Sequence, residues 1–296
     1  MSVVPDQAAV RLQRSALEPR ALRSGLLTAG AWVAAIVAGV PLISVLYMLI
    51  VRGGARLSTE LFTSLPPAGF EMGGGFGNAI VGTVVMVGLA GLLSIPIGVM
   101  AAVYLAELGP TSSLARVSRF ATKTLTGMPS ILAGVFAYAV VVLVTGSYSA
   151  PAGGLALAVL MVPTVILTAE EAIKAVPKIT RDAAYGMGCT RSQVIWKVLL
   201  PTAMPGILTG VMLAVARAAG ETAPLLFTAL FSSFWLFEGL QPKLMQPTAS
   251  LAVLIYNFSG MPFDNQIELA WAASLVLVLI VLVINIVSRL VGQRRM

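Results

Sequence analysis

Apolar residues run in long blocks with few or no charges, and polar residues gather in short islands between them. The blocks fall at about residues 25–51, 76–106, 125–146, 153–173, 202–231 and 268–289. Each approaches or exceeds the roughly 20 residues that carry a helix across a bilayer. The third and fourth belong to one stretch, Thr124 to Ala169, too long for a single crossing. It breaks at the turn-rich run Gly146-Ser147-Tyr148-Ser149-Ala150-Pro151-Ala152-Gly153-Gly154 and so reads as two helices. The expected fold is an all-α membrane protein of six transmembrane helices with both ends on one side. Between the spans, Thr111 to Lys123 interleaves Leu114, Val117 and Phe120 with Arg116, Arg119 and Lys123. That is the spacing of an interfacial amphipathic helix leading into the third span. Arg52 to Gly75 reads as an external loop, and Ala249 to Tyr256, apolar but too short to cross, as a re-entrant or surface helix. Pro41, Pro96, Pro129 and Pro163 lie within or beside spans, where neighbours or a polar cavity must satisfy the carbonyls they free.

Composition agrees with the pattern. Hydrophobic residues make up 58% of the chain and charged residues 10%, with mean hydropathy +0.93. A soluble domain carries roughly a quarter charged residues, so this chain has too little polar surface to cover itself. One cysteine, Cys189, and no histidine exclude a disulfide framework and argue against zinc or haem. The net charge of +7 could suggest nucleic acid, but its placement explains it otherwise. Arg11, Arg14, Arg20 and Arg23 precede the first span, Arg116, Arg119 and Lys123 precede the third, and Arg289, Arg294 and Arg295 follow the last. Lys174, Lys178, Arg181, Arg191 and Lys197 lie between the fourth and fifth. Only Arg52, Arg56 and Lys243 fall on the opposite side, so both termini and the island at 177–201 are expected to be cytoplasmic. Residues 1–24 then form a cytoplasmic tail, and 25–292 the transmembrane domain. The first apolar run is longer than the core of a secretory signal, which predicts an uncleaved first span.

The most distinctive island is Asp182-Ala183-Ala184-x3-Gly188-x9-Val198-Leu199-Leu200-Pro201. Gly188 permits a backbone turn that side chains would block, and Pro201 suits the first turn of a following helix. Two short helices joined at a flexible point make a finger presented to a soluble partner. Tyr185, Cys189 and Trp196 could fill an apolar groove on that partner or pack the finger against the spans.

Two charges interrupt the fifth apolar block. Arg217 and Glu221 stand four residues apart, so on a helix they share a face. An ionisable group at that depth costs several kcal/mol unless paired or facing water. The pair is either a salt bridge that locks helix packing or part of a pathway wall, where the guanidinium fork attracts an oxyanion and the carboxylate restrains it. A pair that opens and closes would do both.

The island resembles the E-A-A-x3-G-x9-I-x-L-P loop of permease subunits of bacterial ATP-binding-cassette importers, with Asp182 for the usual Glu and Val198 for Ile. Ala216-Arg217-Ala218-Ala219-Gly220-Glu221-Thr222-Ala223-Pro224-Leu225 resembles the A-R-A-x-G-E-T-A-P-L segment of phosphate-specific importer permeases of the PstA type. Gly127-Met128-Pro129-Ser130-Ile131 resembles their G-x-P-S-I, and Pro247-Thr248-Ala249-Ser250-Leu251 and Gly77-Asn78-Ala79-Ile80-Val81-Gly82-Thr83 match as well. The likeness covers about residues 70 to 290. It implies a type I ABC importer permease fold whose cytoplasmic coupling helices carry Asp182, Ala183, Ala184, Gly188, Val198, Leu200 and Pro201. It implies a substrate pathway touching Arg217, Glu221, Thr222, Asn78 and Ser130. The implied partners are a homologous C-type permease, two ATPase subunits, an extracytoplasmic phosphate-binding protein, inorganic phosphate and the lipid bilayer of a bacterial cell membrane. ATP and Mg would bind the ATPase subunits, and no cofactor is expected in this chain.

The sequence has no Gly-Lys dipeptide, so it lacks the phosphate-cradling loop of an ATPase, and no nucleophile–base set is evident. Three other classes remain to be weighed. A permease for sulfate, molybdate or a polar solute would share the finger. A secondary carrier would show internal duplication or a string of intramembrane acids. An intramembrane enzyme would need histidine or paired acids.

Overall fold

The computed structural model describes residues 19–239 and 241–293. The chain divides into two compact units, Met1–Ile50 and Val51–Met296. In the first, helix α1 runs over Pro19–Met48 and leaves Leu27, Trp32, Ile36 and Ile43 exposed, as a helix solvated by lipid would. Most of the expected N-terminal tail, including Arg11 and Arg14, lies outside the described residues, as do Arg294 and Arg295.

The second unit opens with the short α2 (Glu60–Thr63) and then α3 (Gly77–Val103), which continues through a wide, π-type turn, Tyr104–Leu108. Helix α4 (Ser113–Thr126) is followed by α5 (Ser130–Ala137), which passes through a second wide turn into α6 (Leu143–Thr145). Next come α7 (Ala150–Lys174), α8 (Lys178–Gly186) and α9 (Arg191–Gln193), which a third wide turn, Val194–Leu199, joins to α10 (Leu200–Ala219). Helix α11 (Ala223–Leu226) precedes a two-residue antiparallel ladder, β1 (Phe237–Glu238) with β2 (Gln241–Pro242), and α12 (Leu251–Ser259) and α13 (Asp264–Gln293) close the fold. Among the described residues five helices are long and apolar enough to cross a membrane, or six if α4 and the α5–α6 stretch, bent by 105°, form one span.

That bend follows from Gly127-Met128-Pro129: Pro129 has no N–H to continue α4 and its φ of −56° suits the entry to a new helix. Helix α5 therefore starts at Ser130, inside the apolar block that begins near residue 125. Helix α4 keeps Leu114, Val117 and Phe120 exposed along one face. On the other face Arg119 holds it down, its Nε 2.8 Å from Oε1 of buried Glu170 and its Nη2 donating to the carbonyl of Leu105. Lys174 reaches the same Glu170 oxygen.

Helix α7 is the centre of the second unit. Its most apolar window is 67% buried, against 22% for α13, and it packs along α3 and α10. Lipid tails offer no hydrophobic drive for helices to associate, so close backbone approach supplies the attraction. Small residues provide it: a Cβ on Gly98 of α3 would stand 2.6 Å from a methyl of Val165, and one on Gly206 of α10 would stand 2.8 Å from Cβ of Ala172. At the far end from α8, a second core gathers Leu61, Phe76, Leu251, Leu254 and Leu269 around α12 and the start of α13. There Thr83 accepts from the backbone N–H of Leu251, pinning the start of α12 to α3.

One expectation is corrected. The fifth apolar block is not one helix to residue 231: α10 ends at Ala219, with Gly220 at its C-cap, and the chain restarts in α11 with Pro224 in the first turn. Pro224 has no N–H to donate to a continuing ladder, and Gly220 weakens the turn before it. Pro201 falls in the first turn of α10, as expected, but the coil does not start afresh there. Residues Arg191–Ala219 form one helical stretch with Pro201 inside it. The preceding wide turn, closed by Leu200 N–H donating to Ile195, loosens the coil where the proline ring would otherwise meet a carbonyl.

Candidate functional site

Two sites emerge, one at each end of α10. The first is the finger. Helix α8 ends in a turn where Gly188 has φ +83°, a left-handed conformation that costs other residues. Gly188 N–H donates to Tyr185 at 2.9 Å and Cys189 N–H to Ala184 at 3.2 Å, the paired bonds of a Schellman C-cap. The next helix starts at once. Thr190 accepts from the N–H of Gln193 while the Gln193 side chain accepts from the N–H of Thr190, a complete capping box. The T-x-x-Q spacing is the sequence signal of that start, at the second of the two short helices the finger was expected to hold.

Side chains on the finger sort into two faces. Ala184 is buried, and Cys189, Val198 and Leu200 pack with the main core. Asp182, Ala183, Gly188 and Pro201 are exposed. So are Ile179, Tyr185, Met187 and Trp196, Met187 to 77%. Of the three residues read as candidates for a partner groove, Tyr185 and Trp196 face outward and Cys189 faces the protein's own core.

The second site lies where α10 stops. Arg217 Nε is 3.3 Å from Oε1 of Glu221, with the Arg217 side chain 45% exposed and that of Glu221 16%. The pair spans the helix end: Gly220 N–H donates to Arg217 and Glu221 N–H to Ala218. Depth follows from packing. Gly206 of α10 faces Ala172 of α7 and Gly210 faces Thr168, so the helices run antiparallel in step. Seven residues beyond Gly210, at about 1.5 Å each, Arg217 stands level with the middle of α7.

Thr222 follows in the chain, half-buried, its carbonyl accepting from the N–H groups of Leu225 and Leu226. Pro224 lies against α5, where a Cβ on Gly134 would be 2.6 Å from its Cα. Ser130, half-buried, opens that same helix one turn before Gly134. Asn78 is elsewhere. It is 1% exposed at the far end of α3, and its Nδ2 donates to the carbonyls of Ser232 and Phe234 at 2.9 and 3.2 Å. The structure thus brings Arg217, Glu221 and Thr222 together, sets the helix of Ser130 beside them, and commits Asn78 to the loop after α11.

Residues 94–296 match the family described as binding-protein-dependent transport system inner membrane component. The chain is 42% identical over 254 residues to the phosphate transport system permease protein PstA of Yersinia pestis, covering 86% of this chain and 84% of that one. It is 43% identical over 251 residues to PstA of Haemophilus influenzae, covering 85% and 87%. Among solved structures, a bacterial alginate ABC transporter crystallised with a pentasaccharide-bound periplasmic protein gives a TM-score of 0.62 at 16% identity, over 95% of this chain and 98% of that chain. The inward-facing MetNI methionine ABC transporter gives 0.56 at 19%, over 74% and 93%. At such identities these two likenesses speak to the fold alone. With the finger, the packed spans and relatives alike over most of its length, the chain belongs to the binding-protein-dependent transport system inner membrane components, and among them to the PstA permeases.

Proposed function

We propose that this chain is the permease subunit that passes inorganic phosphate through a bacterial cell membrane in an ATP-driven importer. One observation carries the reading: a half-exposed guanidinium stands at mid-span, tethered by one carboxylate, on a helix continuous with an outward-facing finger. An arginine uncovered at that depth is too costly against lipid and belongs to a watery path. Its planar fork suits the oxygens of phosphate. Glu221 limits how firmly the anion is held, because its charge repels phosphate and competes for Arg217. Thr222 and Ser130 add hydroxyls along the same wall, and Asn78 serves the path by fixing the loop at the outer mouth.

The path is shared with a homologous C-type permease. A phosphate-binding protein delivers the anion from outside. Two ATPase subunits grip the fingers of the two permeases from the cytoplasm, which places both termini of this chain and residues 1–24 on that side. Exposed Tyr185, Met187 and Trp196 enter an apolar groove on the ATPase, and Asp182 contacts its polar rim. ATP and Mg bind those subunits, and this chain contributes no hydrolytic group.

The test is radiolabelled phosphate uptake in cells lacking other phosphate carriers. Uptake should vanish when this chain is deleted and return with the wild-type chain but not with Arg217→Gln. Sulfate or molybdate uptake restored in place of phosphate would overturn the substrate assignment.

A further inference from the structure

Two arginines on opposite sides of the Gly188 turn converge on one residue at the end of α3. Arg181, on α8, sets Nη2 3.1 Å from Oε1 of Glu107 and donates to the carbonyl of Ile173 in the last turn of α7 at 2.8 Å. Arg191, the first residue of α9, donates to the backbone carbonyl of Glu107. The Arg181 and Glu107 side chains are 23% and 13% exposed, so the contact is largely withdrawn from water and its loss would strand a charge. It is also incompletely used. The 3.1 Å approach is an ion pair without hydrogen-bond geometry, and Oε1 of Glu107 and Nε of Arg181 have no hydrogen-bond partner. A guanidinium that already touches a carboxylate with an idle N–H has room to close into a two-bond fork.

The far side of this joint leads to the outer mouth. From Glu107, α3 and its wide turn form one helical stretch, Gly77–Leu108, ending at Asn78 and the carbonyls of Ser232 and Phe234. Helix α10 leads independently from the finger to Arg217. We propose that Glu107 is a positioning residue of the transport cycle: its carboxylate holds the α8 arm of the finger through Arg181, beside the α9 arm that Arg191 ties to the backbone carbonyl, so that a push on the finger moves α3 and α10 in concert. Without it, the push would reach Arg217 along α10 while the outer loop held by Asn78 lagged behind.

The inference rests on the chain being the permease of a phosphate importer, and the experiment separates the two. The full transporter is reconstituted in proteoliposomes, and ATP hydrolysis is followed with and without phosphate-loaded binding protein, beside phosphate uptake. In Glu107→Gln the complex should assemble and hydrolyse ATP at the wild-type basal rate, while stimulation by the binding protein falls at least about fivefold. Exchanging the charges, Glu107→Arg with Arg181→Glu, should largely restore stimulation. Unchanged stimulation in Glu107→Gln would overturn the proposal, and so would an assembly defect that the exchange does not repair, since that marks a structural staple. Wild-type transporter that shows stimulation but imports no phosphate would count against the substrate reading alone, with Glu107 still judged by stimulation.

Discussion

Gly210 lies directly against Thr168, and the absence of a side chain there lets α10 and α7 touch along their backbones. A Cβ at Gly210 would overlap the Thr168 side chain, which donates from Oγ1 to the carbonyl of Thr164 on its own helix. This one contact sets the height of everything further along α10.

Gly210→Val should therefore push α10 away from α7. Overpacking of this kind costs roughly 1–3 kcal/mol. Thermal unfolding of the purified chain in detergent should show a lower midpoint, and the partner change Thr168→Ala should recover part of the loss. An unaltered midpoint would mean that the helices are less tightly packed than the geometry requires.

At the turn of the finger, Gly188→Leu forces a branched side chain into a left-handed backbone. The cost is about 1–2 kcal/mol, and relief comes only by unwinding the Schellman cap. Co-purification of the ATPase should drop sharply while membrane insertion continues. Gly188→Asn, which tolerates that conformation better, should bind the ATPase at an intermediate level.

Thr190→Ala removes the hydroxyl that caps the helix after the turn, at a cost of about 1 kcal/mol. Hydrogen exchange should speed up at Arg191–Gln193 and leave the middle of α7 unaffected. Exchange that spreads into α7 would show that the finger and the spans unfold as one unit.

Arg217→Lys separates charge from shape. A lysine keeps the positive charge but loses the planar fork, so phosphate uptake should fall well below wild type yet stay above Arg217→Gln. Full uptake with lysine would reduce the role of Arg217 to that of a point charge.

Asn78→Leu should loosen the loop after α11. Two carbonyls, of Ser232 and Phe234, would lose their donor in a buried setting, worth roughly 1–3 kcal/mol. Limited proteolysis should cut within residues 227–247 faster than in wild type.

The helical membrane architecture was legible because lipid imposes a local rule: every crossing must be a long apolar run, visible without knowing its neighbours. The finger was legible through Gly188, whose spacing from Ala184 matches the turn it makes. The end of α10 was written in Gly220 and Pro224, but the hydrophobicity of the flanking residues masked it. Pro201 was legible as a first-turn proline, but the wide turn that joins α9 to α10 was not, because nothing in the residue types announces it. Glu107 was illegible for another reason. Its partner Arg191 is 84 positions away, and such pairings are settled by how helices pack rather than by local pattern. Asn78 shows the converse: a polar residue among apolar ones marks a special place, but whether its amide serves a solute or a carbonyl depends on what folds over it.

The unbroken run from Arg191 to Ala219, braced at Gly210, has a mechanical consequence. At about 1.5 Å per residue, the fulcrum lies some 28 Å from Arg191 but only about 10 Å from Arg217. Tilting such a lever swings its two ends in opposite directions and gears the inner one down nearly threefold. A displacement of a few ångströms at the finger thus arrives as about 1 Å at the guanidinium, with force multiplied in proportion.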